Sequence, residues 1–366
     1  MTSLFDSVAL RAEHVRTVTA RNRLWISPMC QYSVFAEDGL PTDWHLVHLG
    51  QFAVGGAGVV FTEATAVSPE GRISPRDTGI WSDEQAHAWS RVAAFVREQG
   101  AVPGMQLAHA GRKASTYAPW GMDGRGTVPP EDGGWAAVAP SPVAFGRYAV
   151  PSALDEAGID GVVADFAAAA ERAVGAGFEV LEIHAAHGYL FHQFLSGLAN
   201  TRTDDYGGSL ENRARLLLRV TEAVRRAAGD RAVFVRLSGT DWAPPELADR
   251  AWDQDQCATV AGWAASAGAD FLDVSTGGIL PAADIPLGAG YQVPFAAHVR
   301  RSAGVPVATV GLITDAAQAD TVIRTGQADA VMVARAALRD PHLALRMARE
   351  LGVPLDYVPG QYLRAY

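Results

Sequence analysis

Eight short apolar runs recur along the 366-residue chain, each bounded by glycine, proline or polar residues. Runs of this length, rich in valine, isoleucine, leucine and phenylalanine, predict buried β-strands. They span residues 24–28, 59–63, 102–107, 179–184, 232–237, 271–275, 305–310 and 330–333. The pattern therefore predicts strands spread over nearly the whole chain.

Segments with helical periodicity separate the predicted strands. They span residues 82–99, 162–176, 209–228, 255–267, 315–325 and 341–351, and a glycine follows each of them. Ser82 and Ser209 are suited to N-caps, and Pro341 is suited to a first helical turn. Strands that alternate with helices in this way predict an α/β protein, a (β/α)₈ TIM barrel formed by a single domain over residues 1–366.

An open doubly wound sheet is the rival architecture. It usually carries a glycine-rich phosphate turn directly after its first strand. Here the cluster Gly55-Gly56-Ala57-Gly58 precedes a strand, so it predicts a helix stop and a tight turn instead. The irregular stretch 108–153 follows the third strand, where a long loop predicts a lid or substrate wall. Residues 353–366 form a C-terminal tail.

Composition narrows the expected partners and cellular setting. A formal charge of −10 and a pI of about 5.5 argue against binding to nucleic acid or to an anionic membrane. The two cysteines, Cys30 and Cys257, are too few for a disulfide framework and fit a reducing compartment. No signal peptide and no apolar run long enough to span a membrane is evident. We therefore expect a cytoplasmic protein.

The ends of the predicted strands carry the candidate chemistry, because barrel enzymes build their sites there. The fourth run delivers His184, His187 and Tyr189. Two imidazoles can direct N–H donors at one oxygen, and a tyrosine can supply a proton. The same histidines could ligate a metal, but most of the other strand ends offer no further histidine.

Two other barrel chemistries lack their residues at the strand ends. A glycosidase needs two facing carboxylates, and Glu63 and Glu182 lie within their strands rather than beyond them. A Schiff-base aldolase needs a lysine at a strand end, and the sole lysine, Lys113, belongs to the long loop.

The last two strand ends predict a phosphate site. Gly311 allows close approach of the backbone, and Arg335 can form a bidentate pair with a phosphate. The alternative is a surface ion pair between Arg335 and Asp340. If a phosphate is bound at Arg335, Gln106 and Arg236 would face the rest of the same ligand, a polar planar group. An amide beside a guanidinium suits the pyrimidine edge of an isoalloxazine ring.

Six motifs extend from near the N-terminus to the last residue. They are Arg21-Asn22-Arg23 with Ser27-Pro28-Met29-Cys30-Gln31-Tyr32; Glu63-Ala64-Thr65-Ala66-Val67; Gln106-Leu107-Ala108-His109-Ala110-Gly111-Arg112-Lys113; His184-Ala185-Ala186-His187-Gly188-Tyr189-Leu190; Arg202-Thr203-Asp204-Asp205-Tyr206-Gly207-Gly208-Ser209-Leu210-Glu211-Asn212-Arg213; and Gln361-Tyr362-Leu363-Arg364-Ala365-Tyr366. In this combination they are highly specific. The chain resembles the Old Yellow Enzyme family of FMN-dependent ene-reductases, in its bacterial, thermophilic-like branch.

The resemblance implies a role for each matching residue. Those implied to hold the FMN ring and its ribityl phosphate are Ser27, Pro28, Met29, Cys30, Ala64, Gln106, Arg236, Gly311, Ala334 and Arg335, with Cys30 also tuning the flavin potential. Those implied to act on substrate are His184 and His187 as donors to an activating oxygen, Tyr189 as proton donor, Tyr32 as pocket wall and Arg364 as an arginine finger into a neighbouring subunit. No metal is implied.

The implied reaction is reduction of an activated C=C bond in an enone, enal, maleimide or nitroalkene. Hydride would pass from NADPH, or from NADH, to FMN and then to the β-carbon, while Tyr189 protonates the α-carbon. The expected partners are these small molecules and further copies of the chain in a homodimer or homotetramer. The alternatives are a flavin–iron–sulfur reductase, whose cysteine-rich cluster motif is missing, a non-redox barrel, and a flavin-binding sensor without turnover.

Several motif residues have a structural interpretation instead. Cys257 is expected in the core, and residues 204–213 are expected to cap a helix through their Gly-Gly-Ser turn. Cys30 alone could be a small core residue, and His109 could be structural or lie near the flavin. Arg364 could belong to a frayed terminus.

Three features depart from the family pattern. Ala334 stands where glycine is common, and Tyr366 stands where tryptophan often closes the chain. The loop that carries Trp120 is longer than in the shortest members, which predicts a reshaped substrate mouth.

Overall fold

Within residues 2–11 and 17–365, which the structure describes, eight parallel strands close into a barrel. The structure is a computed structural model. The strands are β1 (Leu24–Ile26), β2 (Val59–Ala66), β3 (Val102–Ala108), β4 (Val180–Ala185), β5 (Ala232–Ser238), β6 (Phe271–Ser275), β7 (Val307–Thr309) and β8 (Ala330–Val333). Each strand pairs with its neighbours in the sequence, and β8 pairs with β1. The predicted (β/α)₈ barrel is confirmed.

Two strand boundaries differ from the prediction at places that matter for the site. β2 continues beyond Glu63 to Ala66, with a shift of register against β3 between Phe61 and Ala64. Glu63 therefore lies inside its strand. β1 ends at Ile26, so that Ser27 and the residues after it belong to the following loop.

Helices follow the strands along the outside of the barrel. They are α1 (Asp43–Val54), α2 (Asp83–Glu98), α3 (Glu156–Gly175), α4 (Leu190–Leu195), α5 (Leu210–Ala228), α6 (Gln254–Ser266), α7 (Val293–Ala303), α8 (Ala316–Arg324), α9 (Arg335–Arg339) and α10 (Leu343–Glu350). Ser82 and Ser209 accept hydrogen bonds from the backbone N–H groups of Gln85 and Asn212. Both are therefore N-cap residues, as predicted.

The glycine cluster and the start of α3 show how local signals set helix ends. α1 ends at Val54, and Gly55 follows as its C-cap, donating its N–H to the carbonyl of Gln51. The predicted helix stop is confirmed. α3 begins at Glu156 rather than at 162, because the Asp155 carboxylate caps it by accepting the N–H of Gly158 at 2.8 Å.

The long stretch after β3 is irregular, as predicted. The short strands Val138–Ala139 and Ser152–Ala153 pair with each other within it, and Thr116 bridges Thr127. A second small sheet pairs Val8–Ala9 with Thr19–Ala20. Short 3₁₀ helices span Pro69–Gly71, Gly111–Lys113, Pro130–Asp132, Pro245–Leu247 and Gly360–Tyr362. Met1, residues 12–16 and Tyr366, the last residue of the tail motif, lie outside the described residues.

Aromatic side chains fill the barrel interior below the site. The Phe271 ring lies 5.1 Å from Trp25 and 4.9 Å from Phe234, and all three are fully buried. Side chains two residues apart on a strand face the same side, so Arg236 and Asp273 follow these phenylalanines into the interior. A close-packed apolar layer, each ring of which stabilises the fold by about 1.5–3 kcal/mol, therefore supports a polar layer above it.

Candidate active site

A cavity of about 330 Å³ opens at the carboxyl ends of the strands. It collects most of the residues that the sequence singled out. The predicted residues that line it are Ser27, Pro28, Cys30, Ala64, Gln106, His184, His187, Tyr189, Arg236, Gly311, Ala334 and Arg335. A cavity of this size suits a small molecule or cofactor.

The base of the cavity is a network of buried polar groups. Gln106 donates its amide N–H to Glu182 at 2.7 Å, which leaves the amide oxygen of Gln106 free to accept. Arg236 pairs with Asp273 at 2.8 Å through Nε and donates to the Ser27 hydroxyl at 3.1 Å through Nη2. These contacts fix an amide and a guanidinium side by side at the base of the site.

Burial shifts the acids of this network towards their neutral forms. Burial raises the pKa of Glu182, and the neighbouring Asp273 raises it further. Burial likewise raises the pKa of Asp273, which Arg236 partly counteracts. Glu182 therefore carries little negative charge at neutral pH, which leaves the Arg236 guanidinium opposed mainly by the Asp273 carboxylate beside it.

Three rings from the end of β4 pack together at one side of the cavity. The His184 ring lies 5.1 Å from that of His187 and 4.9 Å from that of Tyr189, each in an edge-to-face arrangement. The backbone N–H of Ala186 donates to His184 Nδ1 at 3.3 Å, so the neutral ring carries its proton on Nε2. His187 Nε2 lies 2.7 Å from the Ser275 hydroxyl, which orients this imidazole.

The protonation states of these rings follow from burial. Burial lowers the pKa of His184 and of His187 well below the ordinary value, and the Arg236 guanidinium lowers both further. Burial raises the pKa of Tyr189 well above its usual value, with Cys30 adding to the effect. At neutral pH the site therefore holds two neutral imidazoles and a protonated phenol.

The turn that presents these rings has an unusual backbone. His187 has a φ of 57°, a left-handed conformation that non-glycine residues rarely adopt. Gly188 follows it, and a Cβ added there would lie 2.0 Å from the carbonyl oxygen of Gly278 in the loop after β6. The turn at His187 and Gly188 and the loop at Gly278 are therefore in direct backbone contact.

Cys30 and Tyr32 lie on the loop after β1 and pack in the same cluster as Tyr189. The Glu63 carboxylate holds this loop by accepting the backbone N–H of Gln31 at 2.9 Å, while its other oxygen lies 3.0 Å from His45 Nε2. Burial raises the pKa of Cys30, and Asp77 raises it further. Cys30 is therefore a thiol at neutral pH rather than a thiolate.

The loop with Trp120 reaches this side of the site. The Trp120 ring meets the Tyr32 ring edge to face, with centroids 5.1 Å apart. Tyr32 itself is not among the cavity-lining residues, but it packs in the cluster that includes Cys30 and Tyr189. Trp120 is half exposed, so it extends the aromatic wall outward.

Two arginines of α9 also line the cavity. Arg335 and Arg339, at the two ends of α9, both line it and both are exposed. The alternative pairing of Arg335 with Asp340 is absent, because the Asp340 carboxylate binds Arg346 at 2.7 Å. Ala334 has a φ of −124°, which does not require glycine.

Known proteins resemble the chain over nearly its full length. The model of the NADH:flavin oxidoreductase / NADH oxidase family matches residues 14–353. The chain belongs to this family. It is 42% identical to an NADPH dehydrogenase of Listeria monocytogenes over 367 residues, 100% of both chains. It is also 42% identical to an NADPH dehydrogenase of Geobacillus thermodenitrificans over 352 residues, 96% of each chain.

Solved structures agree with this family membership. Morphinone reductase superposes with a TM-score of 0.76 at 30% identity, covering 96% of this chain and 90% of its own. An Old Yellow Enzyme homologue from Zymomonas mobilis gives a TM-score of 0.77 at 29% identity, covering 97% of this chain and 95% of its own. The expectation of an Old Yellow Enzyme-like oxidoreductase with FMN as cofactor and NAD(P)H as reductant is confirmed. A non-redox barrel is therefore wrong.

The chemistry of the cavity fits the cofactor of this family. FMN combines a planar ring that donates and accepts hydrogen bonds with a dianionic phosphate. The cavity is lined by the acceptor amide of Gln106 and the guanidinium of Arg236, and also by Arg335 and Arg339, for which the described residues show no ion pair. The first pair has the hydrogen-bonding groups that suit the ring, and the second pair has the charge that suits the phosphate.

Several singled-out residues lie away from the cavity. Met29 packs against the main core, and its carbonyl oxygen accepts the side-chain N–H of Gln31. Arg364 is exposed in the tail. His109 is buried and accepts the N–H of Gly111 at 3.1 Å, while Cys257 is buried on α6, as expected for core positions.

The motif 202–213 is structural, as expected. Ser209 caps α5, and the Arg202 guanidinium donates to the carbonyls of Pro140 and Leu154, which ties the motif to the long loop. In residues 2–11 and 17–365, no helix is both long and apolar enough to cross a membrane.

Several residues of the site were not assigned from the sequence, among them three that line the cavity and one that contacts it from outside. Ser275, Gln292 and Arg339 line the cavity, and Lys113 contacts the turn after β4. Ser275 ends β6, so its strand-end position was a usable signal. Arg339 lies four residues after Arg335 and therefore on the same face of α9. Gln292 and Lys113 carry no such local signal.

Proposed function

We propose that the protein is an ene-reductase that reduces activated C=C bonds in enones, enals, maleimides or nitroalkenes. The observation that carries the proposal is the contact of His184 with both His187 and Tyr189 at the wall of the cavity, with ring centroids 5.1 and 4.9 Å apart. Oxygen-binding donors and a proton donor are thereby close enough to act on one small substrate.

Bound FMN would supply hydride transfer from NAD(P)H to the β-carbon of the alkene. Negative charge would then develop on the carbonyl or nitro oxygen of the substrate. The neutral imidazoles of His184 and His187 would donate hydrogen bonds to that oxygen. Removing a donor of this kind typically costs about 2.7–4 kcal/mol of transition-state stabilisation.

Tyr189 would protonate the α-carbon. Its phenol is fully protonated at neutral pH because its pKa is raised by burial, so the proton is available. Arg236 would stabilise the negative charge that the flavin ring carries, and Arg335 with Arg339 would bind the phosphate. Cys30, held as a thiol beside Tyr32, would adjust the potential of the flavin.

The relatives named NADPH dehydrogenase support NADPH as the preferred reductant. We further propose that the protein is cytoplasmic and works as a homodimer or homotetramer. Arg364 would reach the cavity of a neighbouring copy, since it is exposed and does not line the cavity of its own chain.

The deciding experiment uses the purified holoprotein under anaerobic conditions. It should be yellow, should bleach when NADPH is added, and should recover its colour on addition of 2-cyclohexenone with formation of the saturated ketone. Reduction by NADPH without reoxidation by any activated alkene would contradict the proposal and favour a sensor.

A further inference from the structure

Lys113 is the sole lysine of the chain, and its side chain lies over the ring of Tyr189, the proposed proton donor. It closes the 3₁₀ turn Gly111–Lys113 after β3. Its ammonium lies 4.9 Å from the centroid of the Tyr189 ring and 4.6 Å from that of Phe145 in the long loop. Two aromatic faces therefore surround one cation.

The same ammonium connects the two turns that touch each other beside the cavity. Lys113 Nζ donates to the carbonyl of His187 at 2.8 Å and to that of Gly278 at 3.2 Å. The adjacent Arg112 donates to the carbonyl of Ile279 at 2.7 Å, so the β3 turn holds the β6 loop at two points. Because Lys113 binds the carbonyl of His187, these contacts hold in place the turn that carries Tyr189 two residues later.

A half-buried cation without an acid beside it loses part of its hydration, which makes the placement of Lys113 informative. In the described parts of the chain, 2–11 and 17–365, Lys113 bonds to carbonyls and rings and forms no ion pair with a carboxylate. Burial, and then Arg112, lower the pKa of Lys113 to about 8, so it is mainly charged at neutral pH. In those parts of the chain, the charge of Lys113 is therefore offset by two carbonyl oxygens and two aromatic rings.

We propose that Lys113 is a positioning residue that makes Tyr189 a more effective acid. The inference rests on the proposed function, in which Tyr189 gives its proton to the α-carbon. Hydride from reduced FMN would form a C–H bond at the β-carbon and displace the π electron pair of the C=C bond towards the activating group. That pair would then take up the proton of Tyr189 at the α-carbon, and the electrons of the broken O–H bond would stay on the phenol oxygen. A phenolate remains until water returns a proton. A cation over the ring stabilises that phenolate and so favours the transfer.

Three substitutions separate the charge from the hydrogen bonds. Lys113→Arg keeps a cation, Lys113→Gln keeps a donor without charge, and Lys113→Met removes both. FMN content and far-ultraviolet circular dichroism verify that each variant folds. Stopped-flow absorbance then measures the two halves of the reaction separately: reduction by NADPH, and reoxidation by 2-cyclohexenone.

We expect Lys113→Gln and Lys113→Met to slow the reoxidation about tenfold or more, with reduction by NADPH nearly unchanged. Lys113→Arg should restore most of the lost rate. In a Tyr189→Phe background, Lys113→Met should have no further effect, because the group through which Lys113 acts is gone.

Three outcomes would overturn the inference. These are full activity of Lys113→Gln, equal slowing of both half-reactions, or the same loss from Lys113→Met with and without Tyr189. If Tyr189→Phe alone leaves reoxidation at the wild-type rate, the proposed function itself fails and this inference fails with it.

Discussion

His184 and Tyr189 pack edge to face, with ring centroids 4.9 Å apart and planes inclined by 75°. Under the proposed function, this contact places the imidazole that would bind the substrate oxygen next to the phenol that would protonate carbon. In an activated alkene the oxygen and the α-carbon are separated by a single atom, the carbonyl carbon or the nitro nitrogen. The contact therefore leads to separate predictions for variants of Tyr189 and of the two histidines.

Tyr189→Phe should slow alkene-dependent reoxidation about 10²–10⁴-fold, the usual contribution of a general acid. Reduction by NADPH should stay close to wild type, because no proton from Tyr189 is needed there. Stopped-flow absorbance of the flavin measures both steps. Tyr32→Phe is the matched control, since it removes a phenol from the same cavity region without touching the proton donor. Equal slowing of both steps by Tyr189→Phe would argue against its role.

His184→Ala combined with His187→Ala should abolish the charge-transfer absorption that phenols produce with the oxidised flavin. The reason is that the phenol oxygen loses both imidazole donors, each worth about 2.7–4 kcal/mol towards a developing anion. A spectroscopic titration with p-hydroxybenzaldehyde measures the effect. His298→Ala, which removes a surface imidazole paired with Asp255, should leave the titration unchanged. An unchanged charge-transfer band in the double variant would contradict the assignment of His184 and His187 as the residues that bind the oxygen.

Arg335→Ala should weaken FMN binding about 10–100-fold, because a charge-assisted bond to the phosphate is lost. Fluorescence titration of FMN into the apoprotein gives the dissociation constant. Arg346→Ala is a suitable control, since Arg346 is tied to Asp340 and does not line the cavity. Equal affinities of the two variants would show that Arg335 does not bind the phosphate.

Acidification should destabilise the protein through its buried histidines. Burial, and then His45, lower the pKa of His48 to about 4, against an ordinary value near 6.5. Between these values the unfolded chain binds the proton and the native chain does not. The free energy of unfolding therefore falls with decreasing pH, by about 1.4 kcal/mol per pH unit for each such histidine.

His48→Phe should remove part of this acid sensitivity. The ring of His48 packs against Trp44 and Phe52, so an aromatic replacement keeps the packing without the titration. Urea unfolding of both proteins at pH 7.5 and 5.5 measures the difference. A loss of stability on acidification that is the same in both proteins would exclude His48 as a contributor.

Arg364 should act in a neighbouring copy. Arg364→Ala protomers keep Tyr189 but lack the arginine, and Tyr189→Phe protomers keep the arginine but lack the proton donor. Mixed oligomers should regain turnover that neither variant has alone, because some cavities then receive both groups. Activity measured after co-refolding checks this, and sedimentation measures the assembly. If oligomers shown to contain both variants regain no turnover, Arg364 does not act in the cavity of a neighbouring copy.

The sequence predicted the barrel because its signals are local. Apolar runs, capping residues such as Ser82 and terminal glycines each report on a few neighbouring positions. The same logic placed His184, His187 and Tyr189 at a strand end, and the structure brings them together around one cavity. The sequence located the starts of helices less well than their ends. α3 begins at Glu156, six residues before the predicted start, because the Asp155 side chain caps it there.

Residues on long loops could not be placed in this way. Lys113 belongs to a loop that the sequence left without structure, and only the folded chain shows its ammonium over Tyr189. Gln292 likewise reaches Ser275 from the segment before α7, at 3.1 Å. Such contacts depend on where distant segments pack, and no periodicity records them.

The contact between Gly188 and Gly278 limits how this enzyme can be altered. Any side chain at either position would force the histidine turn away from its neighbour and would move His187 and Tyr189 with it. Under the proposed function, a change of substrate range by selection or in the laboratory is therefore expected at the Tyr32–Trp120 pair instead. These two rings pack against each other and take no part in the contact between the glycines, so either can be enlarged, trimmed or exchanged.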